Sequence, residues 1–135
     1  MRKLLIPYLI LIAGMVVLDV LWLGFIAKSV YADGIGHLMA AQPRVAPAIA
    51  FYLLYALGLM VFALPPHGPR RTLRTTLTAA ALFGTVAYAT YDLSNLATLR
   101  DWPLSLALID IAWGCVASTL SVLAAKTAMD RLGPT

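Results

Sequence analysis

Long apolar runs separated by short polar connections dominate this chain. The runs cover about residues 4–27, 45–64, 76–99 and 104–125. Each run has the roughly 20 mostly apolar residues that a helix needs to cross the hydrocarbon core of a bilayer. The connections hold glycine and proline, which interrupt helices. The pattern therefore predicts an all-α protein, an integral membrane four-helix bundle built as a single domain over residues 1–135.

The composition agrees with a lipid environment. Hydrophobic residues make up 61% of the chain and charged residues 12%, whereas soluble domains are about half apolar and about a quarter charged. Membrane lipids are therefore the expected partners. The formal net charge of +4 is spread over the ends of the apolar runs, so it forms no basic stripe and we expect no nucleic acid partner.

The chain offers little that would hold a cofactor. Cys115 is the only cysteine, and the two histidines, His37 and His67, lie in separate connections. Motifs for phosphate-binding loops, nucleophile elbows and zinc proteases are absent from the sequence. We expect no cofactor and no metal site, although three aspartates could in principle hold a hard cation.

The distribution of Lys and Arg predicts the orientation. Seven of these residues lie at the N-terminus, between the second and third runs, and after the fourth run, whereas three lie in the other connections. The positive-inside rule then places both termini in the cytoplasm of a bacterial inner membrane, with a multi-pass chain. The first run is too long for the apolar region of a signal peptide, so we expect it to be retained.

Three aspartates, Asp19, Asp92 and Asp110, interrupt the apolar runs. A charged side chain in hydrocarbon costs several kcal/mol, so an acid in a membrane span is a functional hypothesis by default. In the predicted topology all three lie in the outer half of the membrane, roughly 9–12 Å below the interface at 1.5 Å per residue. The sequence therefore predicts one layer of carboxyl groups.

Helical spacing gathers polar and aromatic side chains around this layer. An Asp-x-x-Trp pattern occurs in both the first and the fourth run, and small residues of the fourth run allow close helix approach. We predict a polar, aromatic-walled pocket that is open to the outer side, with Arg44 and Arg100 at its rim. The candidate ligand-binding residues are Asp19, Trp22, Tyr52, Tyr55, Tyr88, Tyr91, Asp92, Asn95, Asp110 and Trp113.

A structural interpretation of the same residues competes with the functional one. An aspartate in a span can serve only to hold helices together through hydrogen bonds to Tyr or Trp. Aromatic residues near span ends are usually interface belts, which accounts for Tyr8, Tyr31 and Trp102. The cluster of Arg70, Arg71 and Arg74 is most simply a topology signal, with binding of anionic lipid headgroups as the alternative.

Several stretches of the chain resemble one known family. They are Asp19–Gly24, Phe51–Tyr55 with Gly58, Tyr88–Leu99, Trp102–Pro103 and Asp110–Gly114. They look like the predicted bacterial membrane proteins catalogued as domain of unknown function 2177, and the resemblance covers nearly the whole chain. Ser94 stands where many relatives have Thr. The resemblance implies a small multi-span inner-membrane protein and implies no activity.

Three hypotheses remain open at this point. The pocket could bind or transport a small cationic or amphiphilic ligand, or protons, and a chain of this size would then need a homo-oligomer to form a path. The protein could instead be a membrane enzyme that modifies lipids or fatty acids, with one aspartate as general acid or base. The third hypothesis is a structural or assembly subunit with a hydrogen-bonded polar core.

Overall fold

The computed structural model describes residues 1–133 and contains no strand in that range. Within residues 1–133, five α-helices follow one another. They are α1 (Arg2–Leu21), α2 (Lys28–Ile35), α3 (Val45–Phe62), α4 (Leu73–Thr98) and α5 (Leu104–Arg131). The all-α prediction is confirmed, and the four apolar runs correspond to α1, α3, α4 and α5.

The end of α1 is a π-helical turn, Trp22–Ile26, before the short helix α2 begins. The backbone N–H of Ala27 donates to the carbonyl of Trp22 at 2.7 Å, five residues back rather than four. One extra residue per turn rotates the side chains relative to a regular α-helix. The turn therefore changes the direction of the residues that follow Trp22, up to the start of α2.

The sequence pattern treats residues 28–44 as a connection between two spans, and α2 is a further helix that lies within it. Glycine in this connection suggested a loop, but Ala27 and Tyr31 lie one helical turn apart and are both buried. They pack with Trp102, Leu106 and Ala107 in a small apolar cluster at this end of the bundle. Burial of that face stabilises α2 in spite of Gly34 within it and Gly36 directly after it.

Helix α5 lies at the centre of the bundle. Nine of its residues are buried, against four each in α1, α3 and α4, and its main neighbours are α4 and α1. Glycine permits this close approach, because a Cβ on Gly84 would collide with the Gly114 carbonyl and with Ser118. The small residues of α5 therefore allow the close approach of helices that their spacing predicts.

The outside of the bundle is apolar, as expected for a surface in contact with lipid. Three helices are long and apolar enough to cross a membrane: Arg2–Ile26, Val45–Phe62 and Leu104–Arg131. Helix α4 has the length, 26 residues, but carries more hydroxyl groups and is not among them. Large apolar side chains that face outward include Leu9, Val17, Phe25, Leu54, Leu82, Val86, Leu108 and Val116.

Candidate functional site

Asp19, near the end of α1, is buried and fully engaged in hydrogen bonds to two other helices. The hydroxyl of Tyr52 in α3 donates to one carboxylate oxygen at 2.7 Å. The indole N–H of Trp113 in α5 donates to the other oxygen at 2.9 Å. One carboxyl group of α1 thus binds both α3 and α5.

Asp110, near the start of α5, accepts one hydrogen bond, from a tyrosine that is itself held by a tryptophan. The hydroxyl of Tyr31 in α2 donates to Asp110, and the indole N–H of Trp22 donates to the Tyr31 oxygen at 3.1 Å. Burial raises the pKa of the Tyr31 phenol, and its hydrogen bond to Asp110 acts in the same direction. Tyr31 therefore stays protonated and remains a donor at neutral pH.

The two tryptophans of the repeated Asp-x-x-Trp pattern meet between these aspartates. Trp22 and Trp113 stack with their ring centroids 4.4 Å apart and their planes within 2° of parallel. The sequence predicts them as walls of an open pocket. In the structure their faces contact each other, and no open space separates the two rings.

Asp92, in α4, differs from the other two aspartates. It is fully buried, and neither of its carboxylate oxygens has a hydrogen-bond partner among the described residues. Asp110 and Trp102 are its close polar neighbours, and the indole N–H of Trp102 is likewise buried without a partner. An unpaired carboxyl, a second carboxyl and an unpaired donor thus lie together in one region of the bundle.

The three aspartates do not form one ligand cage. Asp92 lies beside Asp110, whereas Asp19 is bound by its own donors and reaches this pair through Trp113, Trp22 and Tyr31. Among residues 1–133, no group of three or more His, Cys, Asp or Glu side chains is arranged to hold a metal ion. The region offers an acidic pair rather than a triad.

Two of the predicted tyrosines lie in the adjoining layer of the bundle. The hydroxyls of Tyr55 and Ser118 are hydrogen-bonded at 2.7 Å, and the ring of Tyr88 meets that of Tyr55 edge to face, with centroids 6.0 Å apart. Tyr88 also covers Gly114, where a Cβ would overlap its ring. This layer packs α3, α4 and α5 together next to the aspartates.

Tyr91 and Asn95 do not join the buried cluster. Tyr91 is 54% exposed and touches Trp102 edge-on from outside, with ring centroids 5.6 Å apart. Neighbouring positions on a helix point about 100° apart, so the burial of Asp92 directs Tyr91 away. Asn95 is half-buried near the end of α4. Arg44 and Arg100, the predicted rim, are exposed.

Tyr31 and Trp102 are the residues that the sequence interpretation misplaced. Both are assigned to an interface belt above, but Tyr31 is 9% and Trp102 8% exposed, and both lie beside the aspartates. The belt assignment is wrong because α2 folds back onto the start of α5. The helical spacing of Ala27 and Tyr31 was the signal for this fold-back.

An all-helical chain with apolar outward faces and buried carboxyl groups between its helices is a membrane protein in architecture. The chain belongs to the family described as predicted membrane protein (DUF2177), whose family model matches residues 4–127. The family resemblance seen in the sequence is thereby confirmed. The chain matches no curated protein and no solved structure.

Proposed function

We propose that this protein crosses the membrane four times and binds a proton or another small cation at Asp92 and Asp110, inside the bundle. One observation carries the proposal: the Asp92 carboxyl is fully buried, lacks a hydrogen-bond partner among the described residues and lies beside a second carboxyl. Structural carboxyl groups are normally satisfied, as Asp19 is.

The chemistry of such a pair favours the uptake of one positive charge. Two neighbouring carboxylates repel each other, and burial disfavours the charged form of each. A proton shared by Asp92 and Asp110, or a small cation between them, removes both costs. Tyr31 leaves one Asp110 oxygen for this role, because its hydroxyl donates to the other oxygen only.

The fourth span in this proposal is α4, the most polar of the long helices. Its hydroxyl groups are largely satisfied within the helix: Thr78, Thr85, Thr90, Ser94 and Thr98 each donate to the carbonyl four residues earlier, at 2.6–2.8 Å. A hydroxyl that bonds to its own backbone is far less costly in lipid than a free one. These bonds support a membrane location for α4.

The orientation and the membrane also belong to the proposal. The excess of Lys and Arg at the two termini and before α4 supports cytoplasmic termini in a bacterial inner membrane. With that orientation the acidic pair lies in the outer half of the membrane, since Asp92 is near the end of α4 and Asp110 near the start of α5.

Infrared titration of the protein in liposomes tests the proposed site directly. A protonated carboxyl has a C=O stretch that is separate from the carboxylate bands. We expect this band in the wild-type protein at neutral pH and its loss in Asp92→Asn. Asp33→Asn is the matched control, because Asp33 is exposed on α2, and it should leave the band unchanged.

A band that persists in Asp92→Asn would contradict the assignment of the proton to this pair. If wild-type protein shows no band, the cation form of the proposal is tested by thermal stabilisation with Na⁺, K⁺ or methylammonium; no stabilisation by any of them would then refute it. Proton flux into liposomes that contain a pH-sensitive dye separates transport from binding. Transport would require a path through the bundle or through a homo-oligomer.

A second role, the locking of helices, is favoured by the contacts of Asp19. Its two hydrogen bonds join α1 to α3 and α5, which is the arrangement expected of a structural polar core. We assign this role to Asp19 and reserve the cation-binding role for Asp92 and Asp110. The lipid-modifying enzyme stays a hypothesis from the sequence.

A further inference from the structure

A cavity of about 470 Å³ lies at the opposite end of the bundle from the aspartates. It is bounded by the start of α1, the connection between α3 and α4, and the last turns of α5. All of these segments adjoin the ends of apolar helices, where a membrane span meets the lipid headgroups. With the proposed four spans, the cavity lies at headgroup level in the leaflet on the side of the termini.

The charge of the cavity wall is strongly positive. Lys3, Arg70, Arg71 and Lys126 line it, and Asp130 is the only acid among its described lining residues. Lys126 already engages Asp130, with its ammonium nitrogen 3.0 Å from both carboxylate oxygens. The other three cationic side chains, from two different segments, therefore share the wall with one acid that Lys126 already engages.

The cavity also has an apolar side and a fixed cation. Leu4, Leu64 and Met129 contribute to its wall beside the charged groups. The guanidinium of Arg71 donates to the carbonyl of Phe62 at the end of α3, at 2.8 Å, which holds this cation close to the cavity. A wall that carries both cationic and apolar side chains matches a ligand that is anionic at one end and hydrocarbon at the other.

The geometry points to a binding site for the headgroup of an anionic phospholipid in this cavity, with the phosphate against Arg70, Arg71 and Lys3. Arginine suits this task because its planar guanidinium donates two parallel hydrogen bonds to phosphate oxygens. The acyl chains lie along the apolar surface that the first turn of α1 and the end of α5 expose, with Leu4, Leu5 and Leu132. The site is independent of the acidic pair at the other end of the bundle.

A topology signal alone makes a different prediction from a binding site. Arg74 is three residues from Arg71 and carries the same charge on the same side, but it does not line the cavity. For topology, Arg70 and Arg74 are equivalent. For a binding site, only Arg70 matters, so the two arginines form a matched pair of test and control.

The test is a titration of the purified full chain in a non-ionic detergent with phosphatidylglycerol, with bound lipid counted by native mass spectrometry. Phosphatidylcholine, glycerophosphoglycerol and inorganic phosphate serve as comparison ligands. We expect the wild type to prefer phosphatidylglycerol, Arg70→Gln to weaken binding by about fivefold, and Arg74→Gln to leave it unchanged. Should Arg70→Gln fail to fold, Lys3→Gln on α1 provides the same comparison.

Equal losses in Arg70→Gln and Arg74→Gln would overturn the proposal, because they would show attraction by net charge alone. Equal binding of phosphatidylcholine would also overturn it. Glycerophosphoglycerol or inorganic phosphate that competes as well as the lipid would identify a site for a soluble phosphate and refute the lipid assignment. None of these outcomes bears on Asp92, so failure here leaves the proposed cation site standing.

Discussion

Trp22 and Trp113 stack face to face, with a centroid distance of 4.4 Å, although 91 positions separate them along the chain. Each belongs to an Asp-x-x-Trp pattern. Each tryptophan is linked by hydrogen bonds to the aspartate of the other pattern, directly or through one tyrosine. Trp113 donates to Asp19, whereas Trp22 donates to Tyr31, which in turn donates to Asp110. The hydrogen bonds of the two patterns therefore cross between the helices and hold α1 against α5.

Loss of the Trp113 hydrogen bond should destabilise the bundle. Trp113→Phe keeps an aromatic ring against Trp22 and removes the donor to one Asp19 oxygen. We expect a loss of about 1 kcal/mol in the free energy of unfolding, in line with interhelical hydrogen bonds in membranes. Reversible unfolding in mixed micelles of a non-ionic detergent and dodecyl sulfate measures this difference.

Trp102→Phe is the control for this experiment. It makes the same change of ring size in the buried Trp102, whose N–H has no partner among the described residues. Trp102→Phe therefore removes no hydrogen bond, and we expect it to be less destabilised than Trp113→Phe. If Trp102→Phe were the more destabilised variant, the hydrogen bond from Trp113 to Asp19 would not contribute to stability as proposed.

Tyr52 and Trp113 should show energetic coupling through Asp19. Tyr52→Phe removes the second donor to this carboxylate, and in combination with Trp113→Phe it leaves the buried group without any partner. An unpaired buried charge costs more than the sum of two single hydrogen bonds. We expect the double variant to lose more stability than the two single variants add up to, by about 0.5 kcal/mol or more.

A double-variant cycle with Tyr8→Phe provides the comparison. The Tyr8 hydroxyl donates to the carbonyl of Leu53 at an exposed position and has no contact with Asp19. Tyr8→Phe and Trp113→Phe should therefore be additive. Additivity in the Tyr52 cycle as well would show that Asp19 is not the shared acceptor.

The helices of this fold follow from the sequence, but the contacts of the site follow only in part. Apolar runs of span length locate α1, α3, α4 and α5. The rise of about 1.5 Å per residue along each run places the three aspartates near one end of the bundle. The order of helices around the bundle is not encoded in such periodicity. For that reason the pairing of Trp113 with Asp19, and the separation of Asp92 from Asp19, emerge only in three dimensions.

The contribution of Tyr31 was hidden for a different physical reason. Its segment carries Lys28, Asp33, Gly34 and Gly36, a composition typical of a loop at a membrane surface. Tertiary burial against Trp102 and Leu106 outweighs that local preference. The π-helical turn before it cannot be predicted from the sequence pattern either. No residue type is specific for a turn that holds one residue more than an α-helical turn.

Gly114 should tolerate no side chain. A Cβ there would overlap the ring of Tyr88, and the same contact region holds Gly84 against Ser118. We expect Gly114→Ala to separate α4 from α5 and to cost about 1–3 kcal/mol of unfolding free energy, as overpacking does. Gly24→Ala is the matched control, since nothing lies within 4 Å of its added methyl group.

The glycine pair gives a clear contrast in unfolding midpoint. Alanine is a better helix former than glycine by about 1 kcal/mol, so Gly24→Ala should be neutral or slightly stabilising. A neutral Gly114→Ala would mean that Tyr88 can move aside, and the tight contact between α4 and α5 would then not be needed for stability.

Asp19→Asn and Asp92→Asn should change stability in opposite directions. At Asp19 the amide nitrogen would face a donor, Tyr52 or Trp113, and one hydrogen bond would be lost. At Asp92 a neutral amide would replace an unpartnered carboxyl beside Asp110, and it could donate to that neighbour. We expect Asp92→Asn to gain about 1 kcal/mol of unfolding free energy and Asp19→Asn to lose about as much. Functional sites are often kept at a cost in stability, so a destabilised Asp92→Asn would indicate instead that Asp92 is a structural residue like Asp19.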